Sequence, residues 1–284
     1  MEYLNAQGRD MPAVGFGTAR MESEAKHREI INTALDAGYR HFDTAQRYGS
    51  ESVLGDTIRD SDVDREDVFI TTKLDDPNRS REAVIESTKE SLEKLDTDYV
   101  DLLENHWPNP ENRAPDEETI GAMNELYDDG LVRNIGVANH SIEMLQKVMD
   151  YSDAPIVANQ ELYNFLDRGR AQGERGDVDG DLREFCIEED IILTAYSPLQ
   201  VGGVVDEPKV VEIAERHGKT GAQVALRWLI QQPMVSVIPS STSPEHIREN
   251  IDIFDFELSD EEMRELFEAE EELDDDLAAV FGLS

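Results

Sequence analysis

The stretch "HFDTAQRYG", His41 to Gly49, reads as the end of a buried strand followed at once by an acid and, five residues on, a tyrosine. A plain turn would use Gly, Asn and Pro; Asp43 and Tyr48 at one strand mouth ask for another reason. Working outward, short β-rich segments alternate with helix-patterned ones along the chain, the mark of βα units on a parallel sheet. The strands fall around Val14–Thr18, Arg40–Asp43, Val68–Leu74, Val100–His106, Asn134–Asn139, Val157–Glu161, Ile191–Tyr196 and Val235–Pro239. Between them, "REAVIESTKESLEKL", "EETIGAMNELYDDG", "SIEMLQKVMD" and "GAQVALRWLIQQ" carry apolar residues at helical spacing. Eight such units close into a (β/α)8 TIM barrel, whose chemistry sits at the carboxyl ends of its strands. A doubly wound open sheet lacks support, because "VGFGTAR" after the first strand is no Gly-x-Gly-x-x-Gly phosphate turn.

The length of 284 residues suits one such barrel, which typically needs about 250, and no break in composition marks a second domain. We therefore expect one domain over residues 1–284. Sixty-four acidic against 26 basic residues give a formal charge of -38, which disfavours nucleic acid and anionic membranes as partners. Recurrent apolar segments such as "VFITTKL" and "IILTAYSPL" argue against disorder, so the acid belongs to the surface. Lysine supplies only 7 of the basic residues; with the acidic skin, this resembles proteins of salt-loving organisms. One cysteine, Cys186, precludes an intramolecular disulfide. With no leader-like start and no apolar stretch long enough to span a bilayer, a cytoplasmic protein is expected, and a monomer is the expected state.

Two segments of lower regularity stand out. "DRGRAQGERGDVDGD", Asp167–Asp181, exceeds the usual 2 to 6 residues of a βα loop and follows the sixth strand, on the face where barrels bind substrates. It reads either as a tolerated insertion or as a cover over the site, and Arg168, Arg170 and Arg175 lie in it. The "NPENRAPD" segment after His106 and the acidic tail after Glu257 join it as places where substrate range is expected to be set.

Four polar residues fall at successive strand mouths: Asp43, Tyr48, Lys73 and His106. Singly, each has a plainer explanation as helix cap, surface aromatic, solvated charge or core histidine. Together they define a chemistry. A lysine ammonium beside a tyrosine favours the phenolate, moving a group that ordinarily titrates near 10 toward neutral pH. Asp43 would hold Lys73, Tyr48 would protonate a carbonyl oxygen, and His106 would orient that oxygen. A hydride source is what these residues lack.

In the motifs "FDTAQRYGSE", "TTKL", "HWP", "IGVANH", "TAYSPL" and "IPSSTSPEHIREN", the chain resembles the aldo-keto reductases, from Met11 to about Glu257. Within that family it resembles the diketogluconate reductase-like prokaryotic members. The resemblance implies an oxidoreductase that reduces aldehydes or ketones, sugar-like or keto-acid carbonyls among them, using NADP(H) or NAD(H). It implies Asp43, Tyr48, Lys73 and His106 as catalytic tetrad, Asn139 and Gln160 on the nicotinamide carboxamide, and Tyr196 stacked on the ring. Gly17, Thr18, Ser197, Leu199, Ser241 and Thr242 would line the remaining cofactor groove, with Glu249 and Asn250 near the adenine. Phe16, Trp107 and Tyr163 are candidate walls of the substrate pocket, and no metal is expected.

The chain departs from the family pattern in four places. Ala138 stands where serine usually precedes the carboxamide asparagine, and Ala19 where many members carry a bulky aromatic. Ser240 and His246 replace the lysine and arginine that commonly grip the adenosine 2′-phosphate, which weakens the case for strong NADPH selectivity. A non-catalytic, nicotinamide-binding redox sensor on the same barrel is the alternative function. A barrel hydrolase or isomerase would need paired carboxylates or metal ligands, and Asp43 shows no such partner in this reading.

Overall fold

The computed structural model describes residues 1–19, 23–108, 116–167 and 182–269. Most of the Asp167–Asp181 segment, most of "NPENRAPD" and the end of the acidic tail lie outside them. The chain opens with an antiparallel hairpin of β1 (Tyr3–Ala6) and β2 (Arg9–Pro12), turned at Gln7 and Gly8 with φ of 53° and 76°. Two positive φ values match the twist of a two-residue hairpin loop. The sequence reading assigns no strand to this segment, and burial explains why: of the hairpin's eight residues, only Ala6, Met11 and Pro12 are buried.

The eight expected strands follow as β3 (Phe16–Gly17), β4 (His41–Asp43), β5 (Phe69–Leu74), β6 (Leu102–Asn105), β7 (Ile135–Ala138), β8 (Ile156–Leu162), β9 (Ile192–Tyr196) and β10 (Val235–Val237). They pair in chain order and all in parallel. Closure comes from a parallel bridge between Val14 and Val237, where Gly15 N donates to Val237 O at 2.8 Å and Val237 N to Ala13 O at 3.0 Å. The fold is a (β/α)8 barrel.

Helices α1 (Glu24–Ala37), α2 (Glu51–Arg59), α3 (Arg81–Leu95), α4 (Asp116–Asp128), α5 (Ile142–Tyr151), α6 (Arg183–Glu188), α7 (Pro208–His217), α8 (Gly221–Ile230) and α9 (Pro244–Ile251) form the outer ring, and a further helix covers 260–269. Local signals set their ends. Ser80 accepts from Ala83 N to start α3, and Thr220 and Gln223 form a reciprocal capping box at α8. None of the described helices is long and apolar enough to cross a membrane.

Alternation along the strands sorts side chains between two cores. Phe42, Ile70, Leu103, Val137, Leu193 and Val235 join the large cluster under the helices. Leu102, Ala158 and Ile192 instead pack on Ala6 and Met11, so that the hairpin plugs the amino-terminal end of the barrel. With that end sealed, the polar residues carried by the carboxyl ends of β4, β5, β6 and β8 are left at the open end.

Candidate active site

Lys73, near the end of β5, reaches across to β4: its Nζ donates to Asp43 Oδ1 at 2.5 Å and to Thr44 O at 2.9 Å. Lys73 is 0 % and Asp43 3 % exposed. Burial works against the ammonium, but the charge of Asp43 and its hydrogen bond oppose that, and the pKa of Lys73 is raised. A lysine has three N–H donors; two are committed here, which leaves one for the barrel mouth.

Tyr48 ends a single 3-10 turn, Gln46–Tyr48, closed by Gly49 at φ 69°. Lys73 Nζ lies 5.4 Å from its ring centroid, and the His106 ring meets it edge to face at 5.8 Å. Burial pushes the Tyr48 hydroxyl above its ordinary value; Lys73 pulls the other way and loses. This corrects the expectation that Lys73 brings the phenol toward neutral pH: Tyr48 is held as the protonated acid. His106 lies just past β6. Burial, then Lys73 and Arg47, push its pKa down to about 3, so the imidazole is neutral. Its Nδ1 has no hydrogen-bond partner among the described residues. Trp107 stacks on it at 6.1 Å, and Arg79 Nη2 pins the Trp107 carbonyl at 2.9 Å.

A buried carboxyl was missed by the sequence reading. Glu104, on β6, is 0 % exposed, and its Oε2 accepts from Gln160 Nε2 at 3.0 Å. The same nitrogen donates to Asp43 Oδ2 at 2.9 Å. Asp43 therefore has a second carboxyl nearby, contrary to the sequence reading, although an amide bridges the two and both are sealed from water. The signal lay in the alternation: Glu104 is two residues before His106 and so shares its face of the strand. Arg79, 3 % exposed and bonded to Asp76 as well as Trp107, was missed for want of any motif.

The residues expected around the cofactor divide. Asn139, at φ 65°, donates from Nδ2 to His106 O at 3.0 Å and accepts at Oδ1 from Tyr196 Oη at 3.1 Å. Asn139, Gln160 and Tyr196 thus gather at the same mouth, with both amides bonded inside the protein. Gly17 lies against the exit of β10, where a Cβ would stand 3.1 Å from Ile238 O and 3.6 Å from Ser240 Cβ. Ser197, Ser240, Thr242 and His246 are exposed; Leu199, Ser241 and Glu249 are half-buried. Ser241 Oγ accepts from Ser243 N, and Ser243 caps α9.

Three placements differ from expectation. Thr18 is fully buried, its hydroxyl spent on Asp43 O, so it does not line an open groove; Asn250, expected near the adenine, is 3 % exposed. Phe16 packs edge-on against Tyr39 and Phe42 in the layer between strands and helices. Tyr163 donates to Gln232 Oε1 at 2.6 Å and leans on Trp228 of α8. Parity explains both: Phe16 and Tyr163 occupy the alternate face from Gly17 and Gln160. Of the three proposed pocket walls, Trp107 alone stands beside His106.

The donor set suits a nicotinamide dinucleotide. A half-buried tyrosine ring lies beside two buried amides, and a run of accessible hydroxyls leads from the ends of β9 and β10 to the first turn of α9.

The model of the Aldo/keto reductase family matches residues 13–271. The glyoxal reductase of Bacillus subtilis (strain 168) is 37% identical over 257 residues, 90% of this chain and 88% of that protein. A solved structure described as a candidate 2,5-diketo-D-gluconic acid reductase B superposes with TM-score 0.87 at 42% identity, covering 94% of this chain and 91% of the other. The aldo-keto reductase of Bombyx mori, solved in complex with NADP, gives TM-score 0.84 at 30% identity, with coverages of 94% and 92%.

Proposed function

Because this chain belongs to the aldo/keto reductase family and is an oxidoreductase, we propose that it reduces small aldehydes and ketones to alcohols, with Tyr48 as the acid and a reduced nicotinamide cofactor as the partner. The observation that carries this reading is the buried Lys73–Asp43 pair set behind a tyrosine that burial keeps protonated and beside a neutral histidine.

When bound, the cofactor supplies a hydride to the carbonyl carbon. Tyr48 gives its proton to the carbonyl oxygen, and the ammonium of Lys73 stabilises the phenolate left behind. Asp43 fixes Lys73 in place and offsets its charge in the dry interior. His106, neutral, donates from a ring N–H to the same oxygen, which orients it and stabilises its developing charge. Trp107 gives the substrate an apolar wall against His106.

Small dicarbonyl, sugar-like and keto-acid substrates form the proposed class; the names of the Bacillus subtilis relative and of the diketogluconate neighbour support it. The fit of the hydroxyl run and the NADP complex of the Bombyx mori neighbour support NADP(H) or NAD(H) as cofactor. The experiment is oxidation of NADPH and NADH by the purified protein against a panel of aldehydes, ketones, dicarbonyls and sugars. Turnover with several of them is expected. Tight cofactor binding with no turnover overturns the reading in favour of a sensor.

A further inference from the structure

Glu104 pairs in register with Lys73 across β6 and β5, so both side chains stand on the same face of adjacent strands. Its Oε2 shares one nitrogen, Gln160 Nε2, with Asp43 Oδ2, at 3.0 and 2.9 Å. The other oxygen of Asp43 is held by Lys73. An amide carries two N–H groups on its nitrogen and none on its oxygen. Turning the Gln160 amide over would bring Oε1 against the ion-paired carboxylate, acceptor against acceptor, so the two carboxyls lock its orientation. With both N–H groups committed, Oε1 is the atom left for a ligand.

We propose that Glu104 is a positioning residue for the cofactor: with Asp43 it takes both N–H groups of Gln160, so that Gln160 meets the nicotinamide carboxamide only as an acceptor from its NH2. The proposal rests on the cofactor reading above. The state of Glu104 agrees with it. Its Oε1 has no partner among the described residues, and burial, opposed by Lys73, holds the carboxyl well above the usual carboxylate range. In either protonation state Oε2 keeps a lone pair for the N–H of Gln160. The arrangement links the carboxamide to the catalytic pair through a continuous chain, Gln160 to Asp43 to Lys73.

The test compares binding of NADP+ with that of its 3-acetylpyridine analogue, in which a methyl ketone replaces the carboxamide and the NH2 is gone. Calorimetric Kd values are measured for the wild type, Glu104→Met and Glu104→Gln. Glu104→Met, which removes the acceptor, is expected to weaken NADP+ about tenfold, the size of one net hydrogen bond, while changing the analogue less than about twofold. Glu104→Gln keeps a carbonyl acceptor and is expected to bind both as the wild type does. Equal weakening of both ligands by Glu104→Met, or no weakening of either, overturns the proposal. A wild type that binds neither ligand overturns the cofactor reading itself, a separate result visible without any variant. Should Glu104→Met not fold, a neutron crystal structure of the wild type with NADP+, which shows the amide hydrogens, decides: Gln160 Oε1 on the carboxamide nitrogen supports the proposal, and a carboxamide oxygen facing Gln160 overturns it.

Discussion

Lys73 Nζ lies 2.5 Å from Asp43 Oδ1 on the neighbouring strand, and neither side chain is more than 4 % exposed. Removing one partner of such a pair strands a charge in the interior, at a cost of about 3–5 kcal/mol, whereas removing both is far milder. Lys73→Met is therefore expected to lower stability by about that amount, with part of it recovered in the Lys73→Met, Asp43→Asn double variant. Urea unfolding in concentrated salt measures both. Equal loss in single and double variants would show that packing, not charge, sets the cost.

The pH dependence follows from two displaced groups. Tyr48 is raised above its ordinary value of 10.0 and works protonated, so reduction weakens only as pH rises past that value. His106, pushed down to about 3, is neutral above that and gains charge only as pH falls toward it. The expected profile of kcat/KM for reduction is flat through the neutral range, with neither group supplying a limb there. A basic limb near neutral pH that disappears in Lys73→Met would show that Lys73 prevails over burial once ligands are bound.

Much of this was legible in the sequence, and what was not has physical causes. The eight strands stand out because short β-rich segments alternate with helix patterns, and their observed ends lie within two residues of the reading. The hairpin is hidden because four of its eight residues are exposed. Asp43, Lys73 and His106 were found because they are polar residues at strand mouths. Glu104 was overlooked within "DLLENH", although counting back by twos from His106 exposes it. Phe16 and Tyr163 were misplaced for the same neglect of parity. The raised pKa of Tyr48 has no sequence signature, since it depends on how deeply the fold buries the ring.

The surface predicts a salt dependence. With a formal charge of -38, cations are shared: Arg59 meets Asp56, Asp60 and Asp96 at 2.7, 3.2 and 3.0 Å. Such exposed pairs contribute little, and net repulsion dominates. Screening shortens the Debye length from about 10 Å at 0.1 M to about 3 Å at 1 M. The urea midpoint is expected to rise steeply between those KCl concentrations. A midpoint that stays level or falls would remove the proposed salt-adapted character.

Cofactor preference is expected to turn on Ser240 and His246, both exposed beside the start of α9. Hydroxyls and a histidine grip a 2′-phosphate less firmly than a lysine and an arginine do, since charge-assisted bonds are roughly twice as strong as neutral ones. Both cofactors are expected to work, with NADPH favoured only modestly, and Ser240→Lys, His246→Arg should raise that preference. The measurement is the ratio of kcat/KM for the two cofactors at high salt. A wild-type preference above about a thousandfold, roughly 4 kcal/mol, unchanged in the double variant, would assign the phosphate to other residues.

The central claim is that Tyr48 delivers the proton, and the most direct measurement is kcat/KM of Tyr48→Phe for a carbonyl that the wild type reduces, taken with the cofactor Kd. Phenylalanine keeps the ring beside His106 and Lys73 and deletes only the hydroxyl. General acid catalysis is worth about 10² to 10⁴ in rate. The account predicts a loss of that size with cofactor Kd changed less than about twofold, since no cofactor-binding group is touched. A variant that retains most of its turnover would contradict it.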